Sequence, residues 1–108
     1  MNPNKVTREN LKKLADLPNI GKAGAKDLNL IGIHKPEQLV GKCPYKMYDS
    51  LCCVTGESHD PCVIDVFISI TRFIHGEKPL PWWEYTQERK DHLNKPDSGI
   101  DSFIEYKI

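Results

Sequence analysis

The run Leu14-Ala15-Asp16-Leu17-Pro18-Asn19-Ile20-Gly21-Lys22-Ala23-Gly24-Ala25-Lys26-Asp27-Leu28 carries the plan of two short helices joined by a tight turn. Proline at position 18 lacks a backbone donor and restricts the residue before it, so a helix arriving from the amino-terminal side ends near Asp16. That helix reads as residues 7–16. Thr7 serves as its N-cap, Val6 can staple onto Leu11, and Leu11, Leu14 and Ala15 recur on one face. Beyond Asn19-Ile20-Gly21, residues 22–30 read as the second helix, with Ala25 and Leu28 inward and Gly32 near its stop. Leu14, Leu17 and Leu28 are placed to pack the two helices together. Ile20 plugs the turn from inside.

The turn has chemistry of its own. The first amides of a helix have no partner within it, and the helix dipole adds about half a positive charge at that end, which together make an anion site. Gly21, Lys22, Ala23 and Gly24 present those amides with small side chains at three of the four positions, and Lys22 and Lys26 flank them. Gly24 inside a helix costs about 1 kcal/mol relative to alanine, a cost easier to understand where another backbone must come close. With Asn19 and Ile20 completing the turn, the candidate phosphate-contacting residues are Asn19, Ile20, Gly21, Lys22, Ala23, Gly24 and Lys26. Contacts of this kind position a strand and read no bases.

Outward from the turn, the pattern stays helical. Residues 36–40 form a short helical connector. Pro44 suits the first position of a helix that runs to Thr55-Gly56 with Tyr45, Tyr48, Leu51 and Cys52 on one face. Asp60-Pro61 then opens residues 62–75, where Val63, Val66, Phe67, Ile70, Phe73 and Ile74 recur at helical spacing and Ile64 and Ile68 widen the stripe. A stripe that wide belongs at the centre of a core. Gly76 ends it, Lys78-Pro79-Leu80-Pro81 links to Trp82-Trp83-Glu84-Tyr85, and Thr86 caps a last helix through Leu93. The expectation is an all-α fold: a compact bundle of about five helices in one domain over residues 1–93, with the paired helices at 11–30. Residues 94–108 form a tail whose end is either a short strand or a docked segment.

A chain of 108 residues with 39% apolar and 28% charged residues supports one core and lies outside disordered compositions. No apolar run approaches the roughly 20 residues of a membrane helix, and Met1-Asn2-Pro3-Asn4-Lys5 lacks a signal-peptide core, so a cytoplasmic protein is expected. The net charge is zero, which taken alone disfavours a phosphate binder. The charge is unevenly spread, however. Residues 1–46 hold nine Lys/Arg against four Asp/Glu, a net of +5, and residues 47–108 hold six against eleven, a net of −5. The basic half contains the turn.

Residues 14–28 resemble the helix-hairpin-helix DNA-binding domains of repair and recombination proteins. Those hairpins usually carry Gly-hydrophobic-Gly where this chain has Asn19-Ile20-Gly21, and asparagine accepts positive φ better than other non-glycine residues. A wider stretch, about residues 10–90, is similar to short bacterial pathogenicity-locus or mitomycin-resistance helix-hairpin-helix proteins. The similarity runs through Leu17-Pro18-Asn19-Ile20-Gly21, Asp60-Pro61-Cys62-Val63-Ile64-Asp65-Val66-Phe67 and Pro81-Trp82-Trp83. Residues 17–39 also resemble the C-terminal domain of TfoX-type competence regulators. The resemblance implies sequence-independent DNA binding, to duplex or branched forms, in an accessory role in repair, recombination or uptake. It also implies two hairpins paired about a pseudo-twofold axis. On that plan residues 51–61 are either a degenerate second hairpin or an ordinary interhelix loop, and Glu57 and Asp60 there would repel phosphate.

Other constellations are open to more than one reading. Cys43, Cys52, His59 and Cys62 have the chemistry of a zinc site with poor spacing, or are buried thiols. Cys62 in a first helical turn could be reactive, although its acidic neighbours oppose a thiolate. Trp82, Trp83 and Tyr85 either stack on unpaired bases or strap onto the core. No catalytic set is evident, so the expectation is a non-enzymatic protein without cofactor or metal. The competing reading is a protein-interaction module using Trp82-Trp83 or the acidic half.

Overall fold

The apolar helix following Asp60-Pro61 organises everything else. In the computed structural model, which describes residues 2–7, 9 and 11–94, this helix spans Cys62–Ile74 and buries Ile64, Phe67, Ile68, Ile70 and Phe73. Among the described residues it is the third of four α-helices: α1 (Lys22–Leu30), α2 (Pro44–Thr55), α3 (Cys62–Ile74) and α4 (Thr86–Asn94). Short 3-10 turns lie at Pro3–Lys5, Leu14–Asp16, Pro36–Leu39 and Trp82–Tyr85, and among the described residues every element is helical. The all-α expectation holds, with 3-10 turns replacing some of the expected helices.

α3 packs against α2, α4, the connector turn Pro36–Leu39 and the turn Trp82–Tyr85, so elements remote in sequence meet on it. The main core joins Leu14, Leu17, Ile20 and Leu28 to Leu39, Leu51, Phe67, Ile70 and Phe73. The first part of the chain is thus held on the central helix by burial of large side chains, each contributing on the order of 1.5–3 kcal/mol. A smaller cluster of Tyr45, Ile64, Ile68 and Tyr85 seals the opposite side of α3.

Helix ends follow local chemistry. Gly56 adopts φ 72°, and its amide donates to the Cys52 carbonyl at 2.9 Å, which terminates α2 in the left-handed conformation that glycine tolerates. Asp60 Oδ1 accepts the Cys62 amide at 2.9 Å and caps α3.

One expected element is different. Among the described residues of 7–16 there is no α-helix, only 3-10 geometry at Glu9 and at Leu14–Asp16. Asp16 Oδ2 accepts the amides of Lys12 and Lys13, each at 3.0 Å, so a side chain takes the donors that helical carbonyls would otherwise bind. With Pro18 two residues further on, the segment just before the hairpin is the single 3-10 turn Leu14–Asp16. Val6 is buried in the core and Leu11 packs against it, but without an α-helix beginning after Thr7 the expected cap and staple have no helix end to fix among the described residues. The C-terminal tail lies beyond the described residues from 95 onward.

Candidate functional site

The turn between Leu14–Asp16 and α1 is fixed from below. Leu17 and Pro18 are fully buried, Ile20 is 1% exposed, and Leu28 from α1 closes over them. Asn19 stands at φ 65°, the only described non-glycine residue with positive φ. Its side-chain amide donates to Ser69 Oγ at 3.1 Å and to the Leu80 carbonyl at 2.9 Å. Asparagine therefore does more than tolerate the conformation. It ties the turn both to α3 and to the segment leading into Trp82.

Gly21 is extended and precedes α1 with no side chain capping the helix, and no acidic residue lies in the first turn. The helix's first internal bond runs from the Ala25 amide to the Gly21 carbonyl at 3.0 Å. The amides of Lys22, Ala23 and Gly24 accordingly have no acceptor inside the helix. Gly21, Lys22, Ala23 and Lys26 are exposed. A Cβ added at Gly21 would meet nothing within 4 Å, so the fold itself leaves this position open. Gly24 has a packing reason instead: a Cβ there would lie 3.2 Å from Ile20 Cδ1 and 3.4 Å from Cγ2, crowding the buried plug. Of the two glycines, Gly21 alone borders open space.

Beside the turn lies an open cleft of about 580 Å³, lined by Asn19, Ile20 and Gly21 from the turn, by Pro81, Trp82 and Trp83, and by Asn2 and Pro3 near the amino terminus. The tryptophan rings sit edge to face, centroids 5.6 Å apart and planes at 82°, and Trp83 is 59% exposed. Tyr85 is not part of this surface. It is 5% exposed in the core cluster with Tyr45, which corrects the grouping of three aromatics into one platform. No local pattern pairs these two motifs, which are distant along the chain and are tied together here by the Asn19–Leu80 hydrogen bond.

The loop between α2 and α3 has the opposite character. Asp60 already occupies the Cys62 amide at the head of α3, and its carboxyl is held below the usual carboxylate range chiefly by that hydrogen bond. Thr55 Oγ1 lies 2.8 Å from His59 Nε2, and the Tyr48 hydroxyl donates to the His59 carbonyl, its pKa pushed up to about 12 by burial. An incoming anion would meet a carboxylate here. The Cys62 thiol is pushed up, first by its hydrogen bond to Asp60 and then by burial, which opposes a reactive thiolate. Among the described residues no group of three or more His, Cys, Asp or Glu could hold a metal ion, so Cys43, Cys52, His59 and Cys62 are not brought together as a ligand set.

A buried ion pair also escaped the sequence reading. Asp65, whose side chain is fully buried, accepts Arg89 Nε at 2.9 Å and Thr86 Oγ1 at 2.7 Å, clasping α4 onto α3. The available signal was an aspartate inside an apolar stripe, which demands a partner when buried.

Comparison with known proteins places these features in a family context. Residues 7–91 match the model of a family described as Cdd1, pathogenicity locus. The mitomycin resistance protein McrB of Streptomyces lavendulae is 33% identical over 85 residues, spanning 79% of this chain and 81% of that protein. No solved structure matches the chain. Among the described residues no helix is long and apolar enough to cross a membrane.

Proposed function

The chain belongs to the Cdd1 pathogenicity-locus family, and from that premise we propose that it binds DNA independently of sequence, in an accessory role in repair, recombination or uptake. Residues 14–28 act as a helix-hairpin-helix whose first arm is reduced to one 3-10 turn. The observation that carries this reading is the open head of α1: uncapped, free of acidic residues in its first turn, bordered by Gly21, and followed by exposed Lys22 and Lys26. A phosphate set there accepts backbone donors, gains from the helix dipole and sits beside two cations. Asn19 and Ile20 support the site rather than donate to it, since the side chain of Asn19 is engaged with Ser69 and Leu80 and Ile20 is buried. No catalytic step is assigned.

One hairpin makes few phosphate contacts, so the salt dependence should be shallow. Two to three neutralised phosphates correspond to a slope of about −2 to −3 in log K against log salt on duplex DNA. Fluorescence anisotropy with duplex, single-stranded and forked oligonucleotides at several salt concentrations measures it. Binding that ignores salt, or no binding at low salt, rejects the proposal.

The 59% exposure of Trp83 favours a second reading, a protein-interaction module centred on the tryptophan pair. A partner retained after nuclease treatment and lost with Trp83→Ala would support it.

A further inference from the structure

The cleft beside the hairpin joins two features that suit the two halves of a nucleotide. Resting on the DNA-binding reading, we propose that it receives an unpaired base from the strand whose phosphate docks on the first turn of α1. The preferred ligand is then DNA with a single-stranded segment, such as a fork, flap or gap, rather than intact duplex.

Geometry supports one base as the occupant. At about 580 Å³ the cleft, open to solvent and bounded also by Asn2 and Pro3, falls in the size range of small-molecule sites. Trp83 exposes more than half of its surface, and Trp82 stands perpendicular to it, so a planar base stacking on one indole meets the other at its edge. The part of the lining from Asn19 to Gly21 leads directly into the amides and Lys22 at the head of α1. Phosphate and base chemistry therefore lie side by side. Asn19 fixes their separation, because its side chain bonds to the Leu80 carbonyl just before Pro81.

The rest of the molecule points the same way. A duplex held by two hairpins needs two open helix heads, and Asp60 already occupies the amide at the head of α3. A base inside a duplex must also be unstacked before it can enter the cleft, whereas an unpaired base is available at little cost.

Trp82 and Trp83 are the chain's two tryptophans, so selectively excited tryptophan emission reports on the cleft. The test uses the full chain, wild type and Trp83→Leu, with three labelled ligands: a fork with single-stranded arms, the same fork with abasic arms, and a blunt duplex. The abasic fork keeps the phosphates and removes the bases. The wild type should bind the intact fork about 5- to 100-fold more tightly than the abasic one, with quenched emission, in line with stacking of a single base. Trp83→Leu should lower fork affinity to the abasic level and leave duplex affinity unchanged. Equal affinity for intact and abasic arms with unchanged emission overturns the inference and leaves backbone binding standing. Failure to bind any of the three at low salt removes both.

Discussion

Asn19 is the residue on which the turn depends. At φ 65° an alanine would incur about 1–2 kcal/mol of backbone strain, and the hydrogen bonds to Ser69 and Leu80 contribute on the order of 1 kcal/mol each. Asn19→Ala should therefore destabilise the protein by about 2–4 kcal/mol in urea unfolding. Asn19→Gly, which keeps the conformation and loses the bonds, should cost about half as much. Equal losses would mean that the backbone conformation is not the constraint. The positive φ was legible in the sequence because asparagine stood where comparable hairpins carry glycine. Its partners were not, because Ser69 and Leu80 are distant in the chain and nothing local predicts them.

At the scale of elements, the two helix heads are chemical opposites. α1 is uncapped, whereas α3 carries Asp60 on its Cys62 amide, and Asp16 holds the amides of Lys12 and Lys13 in the same manner. Both carboxyls are held below their ordinary range by these backbone hydrogen bonds. A depressed carboxyl adds stability above its unfolded pKa of about 4, and that stability is lost as pH falls through the lower folded value. Thermal unfolding followed from pH 7 downward should thus show a loss of stability below about pH 4, smaller in Asp60→Asn, where this carboxyl no longer titrates. Identical acid limbs would show that the Asp60 cap contributes nothing. The helices at 22–30 and 44–55 were readable from proline, glycine and apolar spacing. The expected helix at 7–16 was not, because the competition from the Asp16 side chain for its own amides is a property of one rotamer rather than of any pattern.

At the scale of the whole molecule, the contact that holds α4 on α3 lies outside the proposed binding residues. The Asp65–Arg89 pair clasps α4 onto α3 with a fully buried carboxylate, so Arg89→Met should destabilise by about 3–5 kcal/mol by leaving that charge unpaired. Removing both charges, with Asp65→Leu and Arg89→Met together, should recover much of the loss. A double variant no more stable than the single one would contradict the account of the clasp. Duplex affinity of the folded variants should be unchanged, because neither residue belongs to the first turn of α1 or lines the cleft beside it. The core and the order of elements were visible in periodicity, whereas the cleft that brings Trp82 and Trp83 to the hairpin exists only once α3 has gathered both. The most direct test of the central claim is a paired measurement on Gly21→Asp. Nothing lies within 4 Å of a Cβ at this position, and aspartate is at least as good a helix cap as glycine. The account predicts a melting temperature equal to or slightly above wild type together with loss of salt-sensitive DNA binding. A stable Gly21→Asp protein that binds DNA as the wild type does would contradict it.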